Sequence, residues 1–179
     1  MKTCAFSGHR PQNLPFGFNE ADARCLSLKL ALKEQILRLI EEERVTHFIS
    51  GMAIGVDMYA AEIVLELKAL YPTVTLEAAI PCEAQPDKWT APLRARYFKI
   101  LAACDRTTLL QKDYTKDCME RRNRYMADSA DILLAVWNGK PSGTGKTVAY
   151  ALHQGKPVLV LDPLTLAVRR EVNTQSEAF

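Results

Sequence analysis

The chain has 179 residues, 48% of them apolar and 25% charged, with 23 basic and 21 acidic side chains and a net charge of +2. That is one domain's worth of chain with enough apolar content for a core, and it excludes both a disordered segment and a strongly cationic nucleic-acid coat. Five cysteines, an odd number with no C-x-x-C pair, argue against a disulfide framework and against a zinc site.

In chain order, apolar runs and helical periodicities alternate. Thr3–Ser7 reads as a strand stopped by Gly8. Glu20 to Glu43 reads as a helix, with Leu26, Leu30, Leu37 and Ile40 at helical spacing. His47–Ser50 is a second strand, Val56–Leu70 a helix with Ala60, Ile63, Val64 and Leu67 as its stripe, and Val74–Ile80 a third strand. A helix from about Pro92 to Ala103 and a strand Arg106–Leu110 follow. The remaining elements are a helix Asp117–Ser129, a strand Asp131–Trp137, a helix Thr144–Gln154 and a last strand Pro157–Leu161. Continuous apolar strands each followed by a helix predict one open, doubly wound α/β domain over residues 1–179. Its sheet is mostly parallel with helices on both faces, and the last fifteen or so residues are a tail. No apolar run reaches membrane-spanning length and Met1–Gly8 is no signal peptide, so the expected location is the cytoplasm, off the membrane.

In such sheets ligands bind beyond the carboxyl ends of the strands, where helix N-termini offer free N–H groups. The second strand ends in Ser50-Gly51-Met52-Ala53-Ile54-Gly55-Val56-Asp57, a glycine-rich turn fit for aiming amides at an anion, with a carboxylate in the first helical turn. It is not the dinucleotide G-x-G-x-x-G, and its alternative is an ordinary turn. After Trp137, Lys140-Pro141-Ser142-Gly143-Thr144-Gly145-Lys146-Thr147 misses the Walker A pattern by one residue, with a single strand expected downstream; a second anion cradle is the better reading. On the helix Asp117–Ser129, Met119, Arg122, Asn123, Met126 and Ala130 share one stripe, while Arg121, Arg124 and Asp128 face away. Arg122 inside an apolar stripe either pairs with a buried carboxylate or faces a ligand phosphate. The first loop sets His9 and Arg10 at a strand end, and the loop from Pro81 to Trp89 offers an aromatic ring, partial burial being that ring's ordinary role. His47 and His153 read as structural. Ten basic against four acidic residues between Lys88 and Arg124 suit an anionic ligand or simply solvated helix faces.

Five segments together resemble the YpsA-like family of the SLOG superfamily, the Rossmann-like group that joins DprA and the LOG nucleotide hydrolases. They are Gly8-His9-Arg10-Pro11; Ser50-Gly51-x-Ala53-x-Gly55-Val56-Asp57; Gln85 with Trp89; Arg122-Asn123-x-x-Met126; and Ser142-Gly143-Thr144 before Tyr150-Ala151. The resemblance implies a Rossmann-like sheet and a pocket for a nucleoside monophosphate, NAD or ADP-ribose type of ligand. It implies that Gly51, Gly55, Gly143 and Thr144 lie around that ligand's phosphate or ribose. Ligand-binding candidates are therefore Gly8, His9, Arg10, Ser50, Gly51, Gly55, Asp57, Gln85, Trp89, Arg122, Asn123, Ser142, Gly143 and Thr144, with Arg122 and Asp57 the candidates for any catalysis. No metal or required cofactor is expected.

The LOG pattern Met-x-x-Arg-Lys-x-x-Met falls on Met119, Arg122, Asn123 and Met126, so its arginine is kept and its lysine is not. The LOG catalytic glutamate falls on Ala149, which leaves Asp57, Glu62 or Glu83 as substitutes for an N-glycosidase. The expectation that follows is a nucleotide-binding sensor or regulatory protein. The alternatives are a LOG-like nucleoside-5′-monophosphate N-glycosidase and a DprA-like single-strand DNA binder, the last disfavoured by 8% aromatics and an isoelectric point near 8.3. The resemblance also implies a homodimer paired through helices, for which no stripe is assignable from sequence.

Overall fold

The computed structural model describes residues 1–173. Seven strands form one sheet: β1 (Lys2–Gly8), β2 (Val45–Ser50), β3 (Thr75–Ile80), β4 (Arg106–Leu109), β5 (Ile132–Val136), β6 (Val158–Leu161) and β7 (Val168–Glu171). Five helices connect them: α1 (Ala23–Glu41), α2 (Val56–Leu67), α3 (Ala91–Ala103), α4 (Cys118–Ser129) and α5 (Gly143–His153). The spatial order is β4-β3-β2-β1-β5-β6-β7, parallel throughout except for β7, which runs antiparallel to β6. The chain thus winds outward from β1 to β4, crosses back to β5 and winds the other way, a doubly wound Rossmann-like sheet.

Period-2 alternation divides the buried residues between two faces. Cys4, Phe6, Phe48, Leu76 and Leu134 point to one face, where α1, α2 and Tyr97 and Ile100 of α3 cover them. Ala5, Ile49, Ala79, Leu133 and Ala135 point to the other, under Met126 and Ala127 of α4 and Val148 and Ala151 of α5. Alanines on the adjacent central strands β1 and β5, Ala5 and Ala135, allow those two helices to pack closely on the sheet.

Three expectations are corrected. The core stripe of α1 is Cys25, Leu28, Leu32, Ile36, Leu39 and Ile40, whereas Leu26 and Leu30 are 52% and 69% exposed. Helical spacing is shared by two stripes of this helix, and periodicity cannot tell which one meets the sheet. Second, part of the expected tail is β7, preceded by a turn in which Asp162 Oδ1 accepts from Leu164 and Thr165 N–H at 2.8 and 2.9 Å. Val-Arg-Arg-Glu is polar because an edge strand is solvated, so it leaves no apolar run to read, and two strands follow α5 rather than one. Residues 174–179 of that expected tail lie outside the described residues. Third, His47 is inside β2 rather than at its end, and it belongs to a buried polar cluster. Its Nε2 meets Glu77 Oε2 at 3.0 Å, and Glu77 Oε1 accepts from Tyr125 and Thr108 hydroxyls at 2.6 and 2.7 Å. Among the described residues no helix is long and apolar enough to cross a membrane.

Candidate functional site

Where the strand order reverses, the carboxyl ends of β1 and β5 part and leave a crevice. A cavity of about 260 Å³ sits there, lined by Gly8, His9, Arg10, Asn13, Ala53, Asp57, Met119, Arg122, Asn123, Ser142, Gly143 and Thr144 with the end of β1. Beside it a cleft of about 520 Å³ spreads under the loops of β1, β2 and β3, and Arg10, Ala53 and Met119 border both. The structure therefore brings together nine of the fourteen sequence candidates in the small cavity, and Gln85 and Trp89 in the larger one.

The floor is organised by Arg122, which is 3% exposed. Its Nη1 donates to the Gly51 carbonyl, its Nε donates to Asn123 Oδ1 at 2.8 Å, and Nη2 rests on the Met119 sulfur. Gln85 Nε2 also donates to Gly51 and Met52 carbonyls, at 3.2 and 2.8 Å, and two carbonyl partners fix which end of that amide faces them. Its Oε1 is buried without a partner among the described residues. Asp57 enters the first turn of α2 and accepts from Ala53 N–H at 3.3 Å. Burial pushes the Asp57 carboxyl above its ordinary range, and Arg122 and then Arg10 act against that shift. Burial likewise lowers the Arg122 guanidinium, with Asp57 opposing. Arg122 therefore lines the cavity but does not ion-pair with a carboxylate: its hydrogen bonds go to the Gly51 carbonyl and Asn123, and Asp57 acts on it through its charge alone.

Two glycines of the turn are demanded by the protein itself. A Cβ on Gly51 would lie 2.6 Å from Arg122 Nη1, and one on Gly55 would lie 2.7 Å from the His9 carbonyl, at a φ of +99° that L side chains rarely adopt. Ser50 is buried, donates to the Asp57 carbonyl at 2.8 Å and accepts from Met52 N–H at 3.2 Å. Ser50, Gly51 and Gly55 therefore stand behind the cavity wall and shape it, while Gly143 has open space before its Cα.

On the opposite side α5 starts at Ser142, whose hydroxyl caps the helix by accepting from Gly145 N–H at 3.1 Å. Gly143 and Thr144, the first two residues of the helix, line the cavity, so the positive end of its dipole faces it. His9 Nε2 accepts from Asn138 N–H at 3.2 Å, which clasps the end of β1 to the loop after β5. Burial lowers the His9 pKa, and the Asn138 contact only partly offsets that, so the ring is a neutral clasp. Arg10 is exposed at the rim between the two spaces. In the larger cleft Trp89 packs edge-on to Tyr97 at 5.4 Å between centroids and shares the lining with Phe18 and Tyr114.

Other candidates stay apart. Glu62 pairs with Arg96 at 2.7 Å on the outer side of α2, and Glu83 is exposed, so neither replaces the LOG glutamate. Ala149 lies on the exposed face of α5, as does Lys146. Of the basic sector, Arg96, Arg121 and Arg124 are taken up by carboxylates at 2.6–3.1 Å. Reading the sequence missed Asn13, Phe18 and Tyr114. Phe18 and Tyr114 are aromatic residues in loops at the carboxyl edge of the sheet, and that placement was their only signal.

A model of the YspA SLOG family matches residues 4–157. A UPF0398 protein of Brevibacillus brevis is 30% identical over 148 residues, covering 82% of this chain and 78% of that protein. YpsA of Bacillus subtilis is 27% identical over 148 residues, covering 82% and 81%. Among solved structures, DNA processing protein A of Streptococcus pneumoniae superposes with a TM-score of 0.59 at 18% identity, over 89% of this chain and 50% of that one. The same protein from Helicobacter pylori, described by its single-stranded DNA binding mode, gives 0.58 at 18% identity over 91% and 69%. The chain thus spans half the length of the Streptococcus protein, and the likeness to both is one of fold.

Proposed function

The chain belongs to the YspA SLOG family, and from that premise we propose that it binds a nucleotide or nucleotide derivative as a sensor or regulatory protein. The observation that carries this reading is the convergence of the α5 N-terminus, the Arg122 guanidinium and the Asp57 carboxylate on one small cavity at the crossover of the sheet. In this reading a phosphate sits before Gly143 and Thr144, with Arg10 at the rim supplying charge. Asp57 and Asn123 accept from ribose hydroxyls. The base lies in the larger cleft against Trp89, where one flat ring face is the natural counterpart of another. The two spaces together are of the size that binds small organic ligands, roughly 300–1,000 Å³.

A thermal-shift series with nucleoside monophosphates, NAD and ADP-ribose tests the reading. A ligand present at 100 times its dissociation constant adds about 2.7 kcal/mol to stability, and no shift across the series removes the proposal. The same incubations are searched for free base, because Asp57 is the one carboxylate lining the small cavity among the described residues. Release of base would move the reading to the N-glycosidase. Single-stranded DNA is the second reading, favoured by exposed Lys88, Lys99, Lys112 and Lys116 with exposed Phe98 and Tyr114. Retention in a low-salt gel shift without any nucleotide response would favour it, since phosphate contacts are strongest at low salt.

A further inference from the structure

Arg96, near the middle of α3, makes two forked contacts at once. Its Nε and Nη2 donate to the two oxygens of Glu62 on α2, both at 2.7 Å, and its Nη1 and Nη2 donate to the two oxygens of Glu20 at 2.6 and 2.9 Å. Lys29 of α1 adds a further donor to Glu20 at 2.7 Å. Both cations lie over the Tyr59 ring, Lys29 at 4.7 Å and Arg96 at 5.8 Å from its centroid. A planar guanidinium offers its donors in pairs, so it can clasp two carboxylates, which an ammonium cannot. The Arg96 and Glu20 side chains are 22% and 31% exposed, so salt screens this clasp less than it would a surface pair.

The clasp joins the two loops that give the larger cleft Phe18 and Trp89. Glu20 belongs to the segment 14–22 between β1 and α1, which carries Phe18 at the cleft. Leu14 and Phe16 of this segment are buried, but Phe18 is 59% exposed. The backbone N–H groups of Gly17, Asn19, Glu20 and Asp22 donate to carbonyls within the segment itself. The Asn19 and Asp22 side chains accept from Ala21 and Arg24, their near neighbours in sequence, so Glu20 is the polar side chain that ties the segment to other elements. Trp89, in turn, directly precedes the N-cap of α3 and packs on Tyr97, the residue after Arg96. Only Tyr97 and Ile100 of α3 are buried, a small apolar footing, and the Glu62 contact fastens the helix to α2.

We propose that Arg96 is a positioning residue for the larger cleft, holding the Phe18 loop and the Trp89 end of α3 at a fixed separation so that the flat part of a ligand enters a preset slot. The assignment rests on the nucleotide reading above, in which the base lies in this cleft. Arg96 lines neither space, so it acts on a ligand through the walls and not by touch. Walls set in advance spare the ligand the cost of ordering them. Glu62 keeps the guanidinium in place when Glu20 is altered, so the loop can be released without freeing Arg96.

The test compares wild type with Glu20→Gln and Arg96→Met, both checked for folding by circular dichroism. Hydrogen–deuterium exchange of the free proteins is read first. Faster exchange is expected over 16–22 in both variants and over 88–93 in Arg96→Met, with β1, β5 and α5 unchanged. Calorimetry with adenosine 5′-monophosphate and with inorganic phosphate follows. The nucleotide should weaken by about three- to tenfold in each variant, the cost of immobilising one rotamer-rich side chain on binding, while phosphate, held at α5, keeps its affinity. A folded Glu20→Gln protein with unchanged exchange over 16–22 overturns the proposal. So does an unchanged nucleotide affinity, or equal weakening of nucleotide and phosphate. If wild type binds neither probe, the nucleotide reading fails, and the exchange comparison still decides whether Arg96 holds the two walls.

Discussion

Truncating Arg122 to alanine should both empty the anion site and destabilise the fold, and the second effect can be sized. The guanidinium is buried, satisfies the Gly51 carbonyl and Asn123, and is the main charge opposing the burial of Asp57. Hydrogen bonds to a charged group contribute about 1.5–3 kcal/mol each, so the two lost with the guanidinium, to Gly51 and Asn123, span about 3–6 kcal/mol. Gln85 still holds the Gly51 carbonyl, so the lower part of that range, about 3 kcal/mol, is expected. For a domain of this size each kcal/mol moves Tm by about 2–4 °C, which puts the loss near 6–12 °C. The pH dependence follows from Asp57. Its folded pKa is already raised above the ordinary 3.8 by burial, so its contribution to stability is complete below that value and is lost as pH rises through the folded value. Without Arg122 the carboxyl rises further, and the deficit of the variant should be largest at neutral pH and shrink in acid. Urea denaturation of wild type, Arg122→Ala, Asp57→Asn and the double variant measures this. A coupling of at least about 1 kcal/mol between the two sites is expected. A single variant within about 0.5 kcal/mol of wild type, or a deficit that does not change with pH, would refute the reasoning.

Four further outcomes are expected. Leu32→Ala should lose about 2–5 kcal/mol, whereas Leu30→Ala should stay within about 0.5 kcal/mol, and equal losses in chemical denaturation would reverse the assignment of the two stripes of α1. Gly55→Ala should lower stability by more than about 1 kcal/mol because of its positive φ and the His9 carbonyl; an unchanged Tm would count against that strain. His9 is held neutral with a folded pKa below 6.5, so its contribution is present above that value and is lost as pH falls through the folded value. His9→Gln should therefore flatten the stability profile between neutrality and mild acid, and a parallel profile would remove His9 as a pH-sensitive clasp. Trp89→Ala should weaken a nucleotide by about 1–3 kcal/mol, the magnitude of base stacking on an aromatic ring, while leaving inorganic phosphate affinity unchanged in calorimetry. Equal weakening of both would place the base elsewhere.

The parallel strands were readable because each is buried on both faces and appears as an unbroken apolar run, as in Ile132–Val136. β7 was not, since a solvated edge strand needs no apolar residues. The stripe Met119, Arg122, Met126 marked Arg122 correctly as a charge within a buried face, although its partner, the Gly51 carbonyl, is a backbone atom that no side-chain pattern announces. The glycines of the turn were legible as a tight turn with room for an anion to meet its amides. What fills that room at Gly51 is Arg122 rather than a ligand, a distinction that requires three dimensions. Ala149 and Lys146 show the reverse case, positions that motif spacing drew toward the site and helix phase turns outward.

The central claim is that a nucleotide sits at the crossover of the sheet with its phosphate on the α5 N-terminus. A backbone amide NMR titration with the strongest ligand from the thermal-shift series tests it most directly. The account predicts the largest shifts at Gly8, Gly143 and Thr144, a second group at Ala84–Trp89, and loss of both in Arg122→Ala. Shifts confined to the exposed basic stretch around Lys112 and Lys116, with Gly143 and Thr144 unmoved, would contradict it.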